Sequence, residues 1–162
     1  MPIPLKLHPL QSCARRAFQL LEPEGLRIGH ALLCDLEEED LLLKRDHGKF
    51  VQMLINLVKN GFVAMERSGT VTIAVWRDGN DAVIAVKDTG KGIPATALDK
   101  LFDPFFTTKE HGTGLGLAVW QKIVADHGGT IYVRSRIDEG TAFTAKFPIA
   151  GNAVPLEGQA NR

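Results

Sequence analysis

The segment Asp88-Thr-Gly-Lys-Gly-Ile93 leaves an apolar stretch on a carboxylate and enters a turn that holds two glycines. An ionised Asp only accepts hydrogen bonds, which suits a donor such as the exocyclic amine of adenine. Gly90 and Gly92 permit a left-handed turn and close approach of backbone to a flat ring. Further on, Gly112-Thr-Gly-Leu-Gly-Leu117 opens a helix. Glycines at a helix N-terminus present unpaired N–H groups, and the helix dipole adds attraction for an anion such as phosphate. No strand precedes this segment and no Gly-Lys-Ser/Thr ends it, so neither a Rossmann turn nor a Walker loop fits. Between the two lies Phe102-Asp-Pro-Phe-Phe-Thr-Thr-Lys109. Thr107, Thr108 and Lys109 are types that reach phosphates, Lys as a flexible point charge. The three Phe are either core anchors or the hinge of a mobile lid. Upstream, Asn56 and Asn60 share one helix face, one turn apart. An Asn amide oxygen is a neutral ligand suited to Mg²⁺; two exposed or packing Asn residues are the plainer alternative. Two glycine segments in this order, with the Phe-Thr-Lys stretch between, make a nucleotide site the leading reading.

Periodicity supplies the elements that must position these residues. Residues 10–22 read as a helix, with Leu10, Cys13, Ala14, Ala17, Phe18 and Leu21 at helical spacing. Pro23 is expected to end it. Residues 26–35 read as a strand running into the acidic turn at 37–40. A long helix follows from about 46 to 66, with Asp46 as N-cap and Val51, Leu54, Ile55, Val58, Phe62 and Met65 as its stripe. Residues 70–77 and 82–88 form a hairpin around Asp78-Gly-Asn-Asp81. Residues 89–112 are mostly loop, with a short helix near 96–101. A helix over 113–128 closes on Gly128-Gly129, and strands follow at 130–135 and 141–147. Few helices and adjacent antiparallel strands predict a two-layer α/β (α+β) sandwich rather than a doubly wound sheet.

The chain has 162 residues, so one domain is expected, over 10–149. Residues 1–9 read as a leader and 150–162 as a disordered tail. Lys+Arg and Asp+Glu are both 19, which asks for neither nucleic acid nor an anionic membrane as partner. No apolar run approaches the roughly 20 residues of a membrane span, and Lys6 and His8 interrupt any signal-peptide pattern. Cys13 and Cys34 are too few for a disulfide framework and read as reduced thiols in a cytoplasmic protein.

Together these segments resemble the catalytic, ATP-binding domain of sensor histidine kinases (HATPase_c), within the GHKL ATPase superfamily. Gln52-Met-Leu-Ile-Asn-Leu-Val-Lys-Asn60 is similar to the N box, residues 88–93 to the G1 box, 102–109 to the F box and 112–117 to the G2 box. Gly140-Thr141-Ala-Phe143 resembles the closing Gly-Thr-x-Phe segment. The resemblance spans residues 10–148. It implies the Bergerat fold, a mixed sheet of about five strands with helices on one face and ATP beneath a flexible lid. It further implies ATP and Mg²⁺ as cofactors. Asn60 would hold Mg²⁺ and Asn56 would lie near the phosphates. Asp88 would take the adenine amine, with Gly90, Gly92, Ile93 and Thr141 around the base and Phe102 nearby. Thr107, Thr108 and Lys109 would belong to the lid, Lys109 near the γ-phosphate. Gly112, Thr113, Gly114, Leu115, Gly116 and Leu117 would form the lid end and phosphate cradle.

Related gyrase and chaperone ATPases carry Glu, the base that activates water, at the position of Asn56. An amide cannot act as that base, so transfer of the γ-phosphoryl group to another acceptor is expected over hydrolysis, by positioning and charge neutralisation. The family's acceptor is a His followed by an acidic residue and then Pro, on a separate dimerising hairpin. His8, His30, His47, His111 and His127 do not fit that pattern. The expected partners are therefore an upstream dimerisation and phosphoacceptor domain and a response regulator receiver domain. The domain alone is expected to be a monomer that binds Mg·ATP without labelling itself. Gly61 departs from the family's usual Ala, and no function attaches to it here. Two alternatives stand beside this reading: a Ser/Thr kinase of the anti-sigma type with the same fold, and, from a different class, a nucleotide-binding module without catalysis.

Overall fold

A computed structural model describes residues 5–98, 100 and 115–150, with side chains in the last segment from Leu117 onward. Within them run β1 (Lys6–Pro9), α1 (Leu10–Arg27), β2 (Ala31–Leu36), β3 (Leu42–Arg45), α2 (His47–Ala64), β4 (Thr70–Asp78), β5 (Asp81–Asp88), α3 (Ala95–Leu98), α4 (Leu115–Asp126), β6 (Thr130–Arg136) and β7 (Gly140–Pro148).

Five strands form one mixed sheet in the order β2-β4-β5-β7-β6. The β2–β4 pair is parallel and the other three pairs are antiparallel. Strand side chains alternate between faces, and one alternating set from each strand enters a single core. That set includes Leu32, Val71, Ile73, Val75, Ile84, Val86, Phe143, Ala145 and Phe147. The helices supply the other wall through Ala14, Ala17, Phe50, Leu54, Val58, Trp120 and Val124. The predicted two-layer sandwich is the observed fold. On the opposite face Leu33 and Tyr132 are exposed, and Lys87 and Lys146 lie over the rings of Trp76 and Tyr132.

Three expectations need correction. Pro23 lies inside α1, which continues to Arg27. Its ring faces solvent, as does Gln19, whose carbonyl loses its helical partner. Packing of Leu21 and Gly25 holds the helix on either side. A Cβ on Gly25 would stand 2.9 Å from the Phe62 ring, so glycine there lets α1 close on α2. The strand expected from residue 26 starts at Ala31, after a turn in which Gly29 takes φ +88°. The leader contains β1, which pairs with the unpredicted β3. Buried Arg45 ties this ribbon to α1 and α2, donating to Pro9 O at 2.7 Å, Ser12 Oγ at 2.9 Å and His47 Nδ1 at 3.0 Å. Beyond β7, Ile149 is buried, and the Ala150 N–H donates to Leu42 O.

Asp46 caps α2 as predicted, its Oδ1 accepting from the Lys49 N–H at 3.1 Å. The hairpin turn needs only Gly79 and Asn80, with Gly79 at φ +62°. Both cysteines are free, and burial pushes the Cys13 thiol up to about 11.

Candidate nucleotide site

Register sets the centre of the site. Ser135 of β6, Thr141 of β7, Asp88 of β5 and Val71 of β4 are successive Cα partners across one end of the sheet. They share the face on which Val71 meets the helices. Apolar side chains dominate this face, so the polar ones at its end stand out. Asp88 is 8% exposed and Thr141 is 3% exposed. Burial raises the Asp88 carboxyl above its ordinary range, while the N–H groups of Gly90 and Thr141 pull it the other way. A carboxylate desolvated to this degree is costly unless it meets donors.

The loop after β5 is tied on both sides. Asp88 Oδ1 accepts from the Gly90 N–H at 2.8 Å. The Lys91 N–H donates to Ala64 O at the end of α2, and Lys91 O accepts from the Asp138 N–H. The Ile93 N–H donates to Ser135 Oγ at 2.7 Å, and the Ile93 side chain is buried in the core. Gly92 takes φ +79°, where a Cβ would collide with Arg136 O. Gly140 takes φ +96°, where a Cβ would collide with Asp88 O. Only glycine meets both requirements at these two positions. At this end of the sheet an open depression of about 290 Å³ lies toward the outer face, where Lys87, Arg134 and Ala142 line it together with the edge residues Asp88, Ser135, Gly140 and Thr141.

The long helix borders the same place. Gly61 of α2 abuts Asp88, and Asn60 is the residue before it. Asn56 and Asn60 are both half-buried. Asn56 Oδ1 accepts from Gln52 Nε2 at 3.3 Å. An amide oxygen on a half-buried helix face, with solvent available for the remaining positions, suits a hard cation that keeps several waters. Among the described residues no cluster of three His, Cys, Asp or Glu offers an alternative metal centre.

The sheet end thus brings together Asp88, Gly90, Gly92, Ile93 and Thr141. Phe102, Thr107, Thr108, Lys109, Gly112, Thr113 and Gly114 lie outside the described residues. Leu115 and Gly116 begin α4. The Leu117 side chain is buried in the core at 2% exposure, so only its backbone is left for a ligand. Sequence reasoning missed Ser135 and left Gly61 without a role. The alternation Ile131, Val133, Ser135 carried a signal for the first: a hydroxyl where the pattern calls for an apolar residue.

A buried carboxylate at a strand end, a glycine loop fastened beside it and a helix with paired Asn residues thus meet at one end of this α/β sandwich. Residues 45–151 match the family of histidine kinase-, DNA gyrase B- and HSP90-like ATPases. Sporulation kinase A of Bacillus subtilis is 40% identical over 129 residues, covering 80% of this chain and 21% of that protein. The nucleotide-free catalytic domain of histidine kinase ThkA superposes with a TM-score of 0.81 at 31% identity, over 91% of this chain and 97% of that one. Full-length ShkA in complex with AMPPNP gives 0.79 at 28% identity, over 96% and 34%. ThkA in complex with the response regulator protein TrrA gives 0.77 at 28% identity, over 90% and 42%. The chain belongs to this ATPase family and is a histidine kinase catalytic domain. It spans about a fifth of the length of the kinase to which it is 40% identical.

Proposed function

We propose that this domain binds Mg·ATP and delivers the γ-phosphoryl group to a histidine on a separate dimerisation and phosphoacceptor domain. The observation that carries the reading is the buried Asp88 carboxylate beside Thr141, at the mouth of a loop closed by Ser135 and Ala64. Asp88 accepts from the adenine amine, and the glycine loop flanks the ring. Asn60 is the residue that holds Mg²⁺, which neutralises phosphate charge when bound. Asn56, an amide, provides no base for water, so the reaction is transfer to a nucleophile on the partner. Toward the phosphates, Lys109 supplies a charge and the glycines at 112, 114 and 116 supply N–H donors.

The phosphorylated partner then serves a response regulator receiver domain, as the ThkA complex with TrrA suggests by likeness. No helix among the described residues is long and apolar enough to cross a membrane, and we place the domain in the cytoplasm. As an isolated domain it is a monomer.

The test is calorimetric titration of ATP and ADP, with and without Mg²⁺, into wild type and Asp88→Asn, followed by transfer to a supplied histidine hairpin. Binding that collapses in the variant, with acid-labile label on the hairpin and none on the domain, is expected. Equal binding by both proteins would remove Asp88 from the base site. Acid-stable label would turn the assignment to a Ser/Thr kinase.

A further inference from the structure

Ser135 Oγ makes three contacts with one proton. It accepts from the Ile93 N–H at 2.7 Å, lies 3.1 Å from Gly140 O and lies 2.7 Å from Thr141 Oγ1. A carbonyl oxygen only accepts, so the Ser135 proton must go to Gly140 O if that bond is made. The remaining Ser135 lone pair then accepts the Thr141 proton. This is the one arrangement in which all three contacts are hydrogen bonds. Its consequence falls on Thr141, whose hydroxyl has spent its proton and presents only lone pairs elsewhere. Thr141 and Asp88 are direct cross-strand partners on one face, the face against which the helix residue Gly61 packs.

We infer that Ser135 is a positioning residue that polarises the Thr141 hydroxyl, making it an acceptor beside the Asp88 carboxylate, and so sets the preference for a 6-amino over a 6-oxo purine. The inference rests on the assignment of Asp88 to the base site. Two adjacent acceptors favour a ligand group that donates, such as an amine. A carbonyl oxygen in its place meets lone pairs on both sides and leaves buried acceptors unpaired. Removing the Ser135 hydroxyl releases the Thr141 proton, which can then turn toward the ligand and serve a 6-oxo group. Loss of the Ile93 tether alone would loosen the loop and weaken both nucleotides together. The two roles are therefore separable.

The experiment measures Kd for Mg·ATP and Mg·ITP by calorimetry, with wild type, Ser135→Ala, Ser135→Thr and Asp88→Asn, each checked for folding by thermal melting. Wild type is expected to favour ATP by at least tenfold. Ser135→Ala is expected to narrow that ratio several-fold, and Ser135→Thr, which keeps the hydroxyl, to restore it. Parallel weakening of both nucleotides in Ser135→Ala, or no change, overturns the inference while leaving the base site intact. If Asp88→Asn binds ATP as wild type does, the underlying assignment fails and the inference with it. Should Ser135→Ala not fold, Ser135→Cys replaces it, since a thiol is a poor donor and acceptor. An unchanged ratio in that variant again overturns the proposal.

Discussion

Gly61 lies directly against Asp88: a Cβ on Gly61 would stand 3.3 Å from Asp88 Cβ, 3.7 Å from its Oδ2 and 3.0 Å from Val71 Cγ2. The helix that carries Asn56 and Asn60 is thereby set down on the strand end that carries the carboxylate. Glycine in mid-helix costs about 1 kcal/mol against alanine, and close helix–strand approach is what it permits here.

Gly61→Ala should leave stability to urea within about 1 kcal/mol of wild type, because the helix-propensity gain offsets crowding of Val71. Gly61→Val adds branches toward Val71 and Asp88. Overpacking of this kind costs about 1–3 kcal/mol, and nucleotide binding should be lost. Wild-type affinity in Gly61→Val would show that the approach of α2 to Asp88 does not matter to the site.

Asp88→Asn separates stability from binding. The Asp88 carboxyl titrates above its ordinary range because it is buried. The native state therefore binds more protons than the unfolded state between the ordinary carboxylate value and the raised one, and wild-type stability grows as pH falls through that window. Asn has no charge to bury and can still accept from the Gly90 N–H. Melting curves should place Asp88→Asn above wild type at pH 7, with the gap closing as Asp88 becomes protonated. A gap that widens on acidification would contradict the sign.

Gly140→Ala and Gly92→Ala should both lower the melting temperature and abolish ATP binding, since each puts a Cβ into a backbone carbonyl at positive φ. Gly79 is the matched control. It also has positive φ, but a Cβ there meets nothing within 4 Å. Gly79→Ala should cost about 1–2 kcal/mol and leave calorimetric affinity unchanged. Equal loss of binding in all three would mean that general destabilisation is being read.

Asp46→Ala removes the cap of α2 and should cost about 1 kcal/mol in urea denaturation. The Asp46 backbone N–H donates to His127 Nε2 at 3.2 Å, while His127 Nδ1 donates to Ile123 O at 2.7 Å. This link from the end of α4 to the start of α2 survives the substitution, so ATP affinity should stay within about twofold, which is about 0.4 kcal/mol.

Local chemistry made much of the molecule legible. The spacing of apolar residues marked α1 and α2, Asp78-Gly-Asn-Asp81 marked the hairpin turn, and Asp46 marked a cap, because each depends on residues a few positions apart. The glycine segments and the paired Asn residues marked the kind of site for the same reason. Pro23 misled because its cost depends on whether the freed carbonyl meets water, which is decided by where the helix lies. The β1–β3 ribbon was invisible because four-residue strands carry little periodic signal, and Arg45, which ties it to the helices, reads as a surface residue in a one-dimensional pattern. The position of Ser135 beside Thr141 and Asp88 follows from pairing of β6 with β7 and of β7 with β5. The amino-acid sequence by itself determined which residues were available for chemistry and which short segments held them. Tertiary structure alone decided which hydroxyl receives the Ile93 N–H, how closely Gly61 approaches Asp88 and how far that carboxylate is withdrawn from water, because those depend on distances between strands and helices remote in the chain.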